Sequence, residues 1–140
     1  MTKVITTPSH LYSAMTDSSA GSKPHTTEII YAGGSSYVKL GAKWTKSEIS
    51  PQQVLKKEQE NRQNSKYTCQ YLRDEPVNGE IAAIYGTHAE RSDIVSDGQI
   101  WISKSRGLPL RHEEDISIGG KDKNHHSTRY EYGDIRPPHD

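Results

Sequence analysis

The feature that most constrains the fold is a pair of short strand-like segments on either side of the glycine pair at residues 33–34. A two-residue turn at this pair places Ile29 opposite Val38. It also places Glu28 opposite Lys39, so that apolar side chains meet each other and opposite charges meet as well. The sequence therefore predicts a β-hairpin here, with its register set by the turn.

The remaining segments predict further short strands separated by turn-like residues. Gly, Asn, Asp and Ser in the separators favour antiparallel pairing between neighbouring strands. A second tight turn at residues 41–42 adds residues 43–45 to the first hairpin, and residues 10–16 form a candidate strand near the start. The other predicted strands cover residues 67–73, 80–87, 99–104, 108–118 and 127–135, with turns expected at 77–79, 96–98 and 105–107.

One helix is predicted, over about residues 51–64. Ser50 suits the N-cap position, and Pro51 suits the first helical position because its missing N–H costs no hydrogen bond there. The body is rich in Gln, Lys, Glu and Arg, which favour helix. Only Val54 and Leu55 are large and apolar, so we expect the helix to dock through its first turns and to lie on the surface.

These elements predict the α+β class: a single curved antiparallel β-sheet of about 7–8 strands, built as a meander of hairpins, with the helix packed on it. The length of 140 residues suits a single domain over residues 1–140. Phe is absent, but 8 Tyr and 2 Trp supply apolar area for a core. The polar segments predict flexible tails at 1–9 and 136–140 and mobile loops at 17–25 and 119–127.

The charge balance limits the partners that the chain attracts. Lys plus Arg and Asp plus Glu number 18 each, so no long-range field draws the protein to nucleic acid or to an anionic membrane. No apolar run approaches the roughly 20 residues that span a bilayer, and no transmembrane segment is expected. The first residues also lack the apolar core of a signal peptide, so either the protein is cytosolic or a targeting segment has been removed.

Cys69 is the single cysteine and the first candidate nucleophile. In a strand it shares one face with Tyr67 and Tyr71, so we expect the thiol to lie among aromatic rings as a small hydrophobe, without a catalytic role. The pair at residues 125–126, both His, lacks further ligands at suitable spacing, so no metal is predicted. No triad, nucleotide loop or cofactor motif is present. We expect no enzyme, no catalytic residue and no cofactor; an enzymatic alternative would need His112, Glu114 or Cys69 in an accessible cleft.

Glu113, Glu114 and Asp115 form a run of three carboxylates. Successive side chains of a strand alternate, so these three cannot converge on one point. Glu113 and Asp115 are instead expected to form a charge ladder with Arg111. His112 and Glu114 then fall in register with apolar neighbours; we expect a β-bulge to turn them outward, and the alternative is an inward-facing acid–base pair.

The last predicted hairpin carries apolar groups on both faces. A three-residue loop at 105–107 places Trp101 opposite Arg111 on one face of the sheet. It places Ile102 opposite Leu110 on the other face. One interpretation is a ligand groove; the other puts Trp101 beneath the helix with Arg111 over its ring. The candidate ligand-binding residues, which share apolar or aromatic character, are Trp101, Ile100, Ile102, Leu108, Leu110, Tyr130 and Tyr132.

Several segments resemble small exported bacterial proteins of unknown function. They are IYAGG at 30–34 with YVK at 37–39 and Trp44, VNG at 77–79 with IY at 84–85, GQIWISK at 98–104, GLPLR at 107–111, and RYEY at 129–132 before PP at 137–138. The order of these segments is similar also to that in proteins with the periplasmic lipoprotein-carrier fold and in related mycobacterial lipid-binding lipoproteins. In those proteins a curved antiparallel sheet wraps a hydrophobic cavity. The resemblance covers about residues 25–138.

The resemblance implies a periplasmic or secreted protein of a Gram-negative bacterium, with its signal peptide removed and Met1 added. It implies a non-enzymatic protein that binds a lipid or another apolar ligand between sheet and helix. The alternative is a structural or protein-interaction module of the cell envelope, with a protein partner and no small-molecule ligand. In either case we expect a monomer. The carriers have more helix against the sheet than this chain offers.

Overall fold

The computed structural model describes residues 8–17, 25–47, 51–120, 122–133 and 135–138, without the side chains at positions 17, 51, 54 and 62. The elements in chain order are β1 (Ser9–Asp17), β2 (His25–Ala32), β3 (Ser35–Leu40), β4 (Lys43–Lys46), α1 (Pro51–Gln63), β5 (Lys66–Val77), β6 (Glu80–Arg91), β7 (Ile94–Ser103), β8 (Pro109–Ile118) and β9 (Asp122–Tyr132). The predicted α+β class with one antiparallel sheet and one helix is confirmed for this part of the chain.

The sheet has nine strands in the order β4-β3-β2-β1-β9-β8-β7-β6-β5. The predicted count of about 7–8 is corrected to nine, because the segment near residue 10, whose place was open, lies in the middle of the sheet. Two meanders, β1 to β4 and β5 to β9, are joined where β1 pairs antiparallel with β9. The edges are therefore β4 and β5, and α1 connects one edge to the other across a face of the sheet.

The hairpin at the glycine pair forms as predicted. Ile29 lies opposite Val38 and Glu28 lies opposite Lys39. The two glycines have φ angles of 62° and 77°, in the left-handed region that a two-residue hairpin turn requires and that glycine adopts without strain. The predicted third strand is β4.

Two predicted boundaries in the second meander are wrong. Residues 96–98, predicted as a turn, lie inside β7 opposite residues 87–89 of β6; the turn is at Ser92 and Asp93, where Ser92 has a φ of 53°. Residues 122–127, predicted as part of a loop, lie in β9. These strands carry mostly polar side chains on partly exposed surfaces, so they lack the apolar alternation from which a strand is recognised.

Other predicted loops and tails fall partly outside the described residues. Of the segments at 1–9 and 17–25, the structure describes residue 8 and then strand residues only: Ser9 and Asp17 belong to β1 and His25 to β2. Residues 136–138 follow the last strand, which ends at Tyr132 and not at residue 135 as predicted. The flexibility of these segments stays a prediction.

Strand alternation gives the sheet two unlike faces. The helix face, which α1 covers, carries a buried cluster of Leu11, Tyr31 and Tyr130. The open face, on the other side, carries a second cluster in which Ile84 and Trp101 are buried against Ala82 and Leu110. Tyr132 packs against both clusters and so links the cores of the two faces. Burial of these large side chains is the main favourable term that holds the sheet.

Helix α1 ends at Gln63, one residue before its predicted end. Leu55 is half-buried, as its predicted docking role requires, whereas the side chain of Val54 lies outside the described set. The end of the helix is also anchored: Arg91 of β6 donates from Nη1 to Oδ1 of Asn61 at 2.8 Å. Ser65 donates to the main-chain oxygen of Asn61 at 2.6 Å, which satisfies a carbonyl that the helix leaves open.

Candidate functional site

A cavity of about 360 Å³ lies between α1 and the helix face. Glu58, Asn61 and Ser65 line it from the helix and the turn that follows. The floor is formed by side chains from five successive strands, β5 to β9. Such a volume lies within the range of about 300–1,000 Å³ that small-molecule sites occupy. Other surface cavities are of similar or larger volume, but this one is lined by both the helix and five strands, so it is the candidate site.

Register between β7 and β8 explains how the floor is built. Gly98 lies opposite Glu114, and Ile100 lies opposite His112. A Cβ atom added at Gly98 would lie 2.7 Å from Cβ of Glu114 and 2.3 Å from the main-chain oxygen of Glu113. Glycine is therefore required at this point of close approach between the strands, and it leaves room for the Glu114 side chain within the cavity.

His112 and Glu114 face the cavity together, which corrects the prediction that a bulge turns them outward. Nε2 of His112 lies 3.6 Å from Oε2 of Glu114, and Ser96 donates to the same oxygen at 3.5 Å. The predicted bulge exists, but it falls where Trp101 pairs with Arg111 while the next residue pairs with Pro109. Alternation is regular from Arg111 onward, so the pair stays on the helix face.

The protonation of the pair follows from its surroundings. Burial lowers the pKa of His112, although the charges of Glu114 and Glu113 act in the opposite direction. The imidazole is therefore neutral at pH 7. Burial likewise raises the pKa of Tyr130, and the charges of Glu58 and Glu114 add to that rise, so the phenol keeps its proton.

The structure separates the residues that were predicted to bind a ligand. Ile100 and Tyr130 line the cavity. Ile102, two residues along β7 from Ile100, is half-buried and shares its face by alternation. Leu108 is buried next to the turn, where its main-chain oxygen accepts from the N–H of Ser103 at 2.8 Å.

Trp101 and Leu110 belong to the open-face cluster and do not contact this cavity. The predicted contact between Arg111 and the indole is confirmed, with the guanidinium 4.8 Å from the ring centroid. The predicted position of Trp101 beneath the helix is wrong, because this side chain points to the opposite face. Its Nε1 donates to Glu75 at 3.1 Å. Leu110 joins it because the bulge puts Leu110 on the face of Arg111; its predicted partner Ile102 pairs instead with Pro109.

Tyr132 lies between the residues of the helix face and those of the open-face cluster. Its hydroxyl donates to the main-chain oxygen of Pro109 at 2.6 Å, and Arg106 lies 5.5 Å from its ring centroid. These contacts fix the hairpin between β7 and β8 against the last strand. Tyr132 therefore supports the wall of the site from outside it.

Sequence reasoning missed the polar half of the lining. Glu58, Asn61, Thr87 and Ser96 all line the cavity, but polar side chains on a polar helix or a half-buried strand look like solvated surface. The spacing of residues in α1 could have revealed the helical part of this lining. Leu55, Glu58 and Asn61 recur every three residues and so share one helical face.

Cys69 does not lie in an aromatic core, and that prediction is wrong. The thiol is exposed because β5 is an edge strand of the sheet. Its expected neighbours Tyr67 and Tyr71 are 46% and 53% exposed. Tyr71 makes an edge contact with Tyr85 at 5.8 Å between ring centroids, so the rings pack along the surface.

The open face carries a row of acidic and histidine side chains. By register, His88, Asp97, Asp115 and His125 follow one another across four strands. Nδ1 of His125 lies 2.8 Å from Asp115, and His88 contacts Asp97 in the same way. Hydrogen bonds to these carboxylates raise the pKa of each His.

The predicted charge ladder is confirmed beside this row, where Arg111 donates to Glu113 at 3.1 Å. His126, predicted in a loop with His125, instead lies in β9 with Nε2 3.0 Å from Sδ of Met15. Among the described residues, no three His, Cys, Asp or Glu side chains are placed to hold a metal ion. No helix in the same part of the chain is long and apolar enough to cross a bilayer.

Comparison with known proteins identifies no family. No family model matches the chain, and no curated protein matches it. A solved structure that is similar is the crystal structure of a LolA superfamily protein from Nitrosomonas europaea, with 8% sequence identity and a TM-score of 0.29 over 95% of this chain and 88% of that chain. A TM-score this low assigns neither a fold family nor a function. The resemblance to lipoprotein carriers stays a prediction.

Proposed function

We propose that this chain is a non-enzymatic binding protein that holds one small ligand with an apolar body between α1 and the helix face. The observation that carries the proposal is the cavity of about 360 Å³, which has both apolar walls and convergent polar groups. Ligand sites combine these two features, because apolar contact supplies affinity and a few polar groups fix orientation.

The apolar contacts would come from Ile100, Tyr130 and Ala89, and the polar contacts from Ser96 and Glu114. The volume is near the lower end of the range for small-molecule sites. This size supports a single small amphipathic molecule or one short acyl chain, and it argues against a large lipid. Cys69 on the exposed edge strand is not part of the described lining, so no thiol is presented to a ligand there.

Export to the periplasm or the cell exterior belongs to the same proposal. Its support is the sequence resemblance described above. The gene sequence upstream of Val4 tests it, since an encoded signal peptide is expected there, and a lipobox cysteine would add a lipid anchor. An open reading frame that begins at Met1 without such a segment would contradict export.

Native mass spectrometry of gently purified protein tests ligand binding directly. We expect a bound species of a few hundred daltons, consistent with the cavity volume, and a rise in melting temperature with matching amphiphiles. Thr87→Phe places a ring in the cavity and should abolish both signals. Thr45→Phe, at an exposed position of β4, is the matched control and should keep them. An unliganded mass and no thermal shift across the panel would falsify the proposal.

A second candidate function is favoured by β5. This strand is an edge of the sheet, and ten of its twelve residues are exposed, including Tyr67, Tyr71 and Leu72. An exposed edge with apolar side chains can accept an extended segment of another envelope protein. Pro76 and the bulge after Tyr71 interrupt this edge, which limits the segment to the first part of the strand.

Crosslinking in intact cells tests this candidate, with a photoreactive residue at position 68 in β5 and, as a control, at position 45 in β4. A discrete partner captured only from β5 is the expected result. Equal labelling from both edges would mean that β5 has no dedicated partner.

A further inference from the structure

We infer that β5 is a self-association interface: two copies of the chain pair antiparallel through residues 67–71, with Cys69 on the two-fold axis. The inference goes beyond the ligand site proposed above. It names the partner of the exposed edge strand as a second copy of this chain, and in that respect it rests on the second candidate function. It departs from the sequence expectation of a monomer.

Residues 67–71 form an exposed stretch of the edge with no charged side chain and no proline. Since β5 ends the strand order, its main chain pairs with β6 alone within the described part of the sheet. Sheet edges are normally protected by Lys, by Pro or by very short strands. The other edge follows this rule, because β4 has only four residues with Lys43 and Lys46 at its ends. β5 is therefore the edge that is open to pairing.

Protecting features close this stretch at both ends. Lys66 precedes it, and Arg73 and Pro76 follow it in the same strand. The register with β6 also shifts at the bulge after Tyr71, and a bulge bends a strand away from a straight partner. A second strand can therefore extend the ladder over residues 67–71 and little further, which limits the register as well as the place.

The sequence of the stretch, YTCQY, has the same pattern in both directions. A two-fold axis places residue i opposite residue j and residue j opposite residue i. With the axis at Cys69, Tyr67 lies opposite Tyr71 of the second copy. Thr68 then lies opposite Gln70, so rings meet rings and hydrogen-bonding side chains meet each other. An axis at Thr68 would instead put Tyr67 opposite Cys69 and break both aromatic pairs.

Contacts within the chain hold the ring of Tyr71 along the edge. Its hydroxyl donates to Oδ1 of Asp74 at 2.9 Å, and its ring lies against Tyr85 with 5.8 Å between the centroids. The side chain nevertheless remains 53% exposed. Because the ring is already ordered, pairing with a second copy costs little side-chain entropy at this position.

The pairing also brings a residue of the second copy to the ligand cavity. Tyr67 lines that cavity from β5 and is 46% exposed. Opposite residues of paired strands share a face of the sheet, so Tyr71 of the second copy lies beside Tyr67 on the helix face. Each copy thus adds an aromatic side chain beside the wall of the other's cavity.

The interface is small, and this sets its strength. A ladder of this length supplies roughly four to six main-chain hydrogen bonds. It buries less than the roughly 1,200 Å² of a stable standard interface. We therefore expect a weak dimer that forms at high concentration and dissociates in dilute solution, where the thiol of Cys69 is accessible.

Analytical ultracentrifugation of the reduced protein over a wide concentration range tests the inference. The average mass should rise from that of one chain towards that of two as the concentration rises. Cys69→Lys places two ammonium groups opposite each other on the axis and should weaken the dimer about fivefold. Cys69→Ser, the matched control, adds no charge at the same position and should keep the dimer. Residue 69 is exposed, so both variants should fold, and circular dichroism verifies this.

Oxidation with diamide tests the register. On the axis the two Cys69 Cα atoms are about 4.5 or 5.5 Å apart, according to the hydrogen-bonding position, and both separations suit a disulfide. Diamide should therefore link the two copies: the two thiols lose two electrons and two protons, which reduce the N=N bond of the reagent to a hydrazine. In the double variant Cys69→Ser/Thr68→Cys the two thiols are diagonal neighbours, with Cα atoms about 7–8 Å apart, and linkage should be several-fold slower.

Three results would overturn the inference. They are a chain that stays monomeric at every concentration, a dimer that is as stable with Cys69→Lys as with Cys69→Ser, and equal rates of disulfide linkage from positions 68 and 69. If crosslinking from position 68 in cells then captured a different protein, self-pairing would be wrong and the second candidate function would stand. None of these results changes the test of ligand binding by native mass spectrometry, so the failure of one proposal is distinguishable from the failure of the other.

Discussion

Gly98→Ala tests whether β7 and β8 approach as closely as the structure shows. The added Cβ would lie 2.3 Å from the main-chain oxygen of Glu113, 2.7 Å from Cβ of Glu114 and 2.9 Å from Cα of Glu114. All three atoms belong to the backbone or are fixed to it, so no side-chain rotation relieves the clash. The two strands must separate locally, and overpacking of this kind costs roughly 1–3 kcal/mol.

The same substitution lowers the conformational entropy of the unfolded chain, and this effect raises the free energy of unfolding by about 0.4–1 kcal/mol. The expected net loss in free energy of unfolding is therefore about 1–2 kcal/mol. Urea denaturation followed by far-UV circular dichroism measures it, as a lower midpoint with an unchanged slope. Because Glu114 lines the cavity and must move, binding of a ligand there should weaken in the same variant.

Gly86→Ala is the matched control. Gly86 also lies inside a strand, one register position away from Gly98. Its added Cβ would meet side-chain atoms of Leu72 instead of backbone: Cδ1 at 3.4 Å, Cδ2 at 3.5 Å and Cγ at 3.6 Å. Leu72 is 41% exposed and can rotate, so Gly86→Ala should be neutral or stabilising by up to about 1 kcal/mol. Equal stability of the two variants would refute the close approach and, with it, the argument for how Glu114 enters the cavity.

Three further predictions follow from the packing, the charge row and the edge strand. Ile84→Ala removes a fully buried side chain and should lower the free energy of unfolding, measured by urea denaturation, by about 2–5 kcal/mol. Ile81→Ala, at a position 50% exposed, is the control and should lower it by less than about 0.5 kcal/mol. The pKa of His88 is raised above its ordinary value of 6.5, first by its hydrogen bond to Asp97 and then by the one to Glu90. The stability from the contact with Asp97 should therefore be complete below pH 6.5 and lost as the pH rises through the folded-state pKa. Asp97→Asn should reduce this dependence in denaturation curves at pH 5–9, and an NMR titration that gives His88 a pKa below 6.5 would contradict the prediction. Cys69 is exposed, so Ellman's reagent should label it in the native protein at nearly the rate seen in urea, and strong protection would mean that the edge is covered.

For some elements, residues close together in the sequence were sufficient to predict the structure. The hairpin at residues 33–34 is recognisable because a glycine pair fixes the turn, and the turn fixes which side chains meet. The charge ladder of Arg111 and Glu113 is recognisable for a similar reason, since alternation in a strand decides which charges share a face. Both inferences depend on residues within a few positions of each other.

Other features depend on contacts that are distant in sequence. The pairing of β1 with β9 joins the two ends of the chain, as in the contact of Leu11 with Tyr130, and no turn near either strand indicates it. The exposure of Cys69 follows from the position of β5 at an edge, which the sequence of β5 does not show. The polar lining around Glu58 was missed because its enclosure is created by α1 crossing the sheet and not by any local pattern.

The topology also limits how far α1 can move from the cavity. The chain leaves the sheet at one edge, at Lys46, and re-enters it at the other, at Lys66. Nine flat strands would separate these edges by roughly 38 Å, and a helix of 13 residues spans only about 20 Å. The six remaining residues of the connection add at most roughly 20 Å when fully extended. Across a flat sheet the residues on either side of the helix would therefore have to be almost fully extended. A sheet that curved towards the helix would bring its edges closer and would not require this. The short connection thus holds α1 across one face of the sheet, and the cavity lies between the helix and that face.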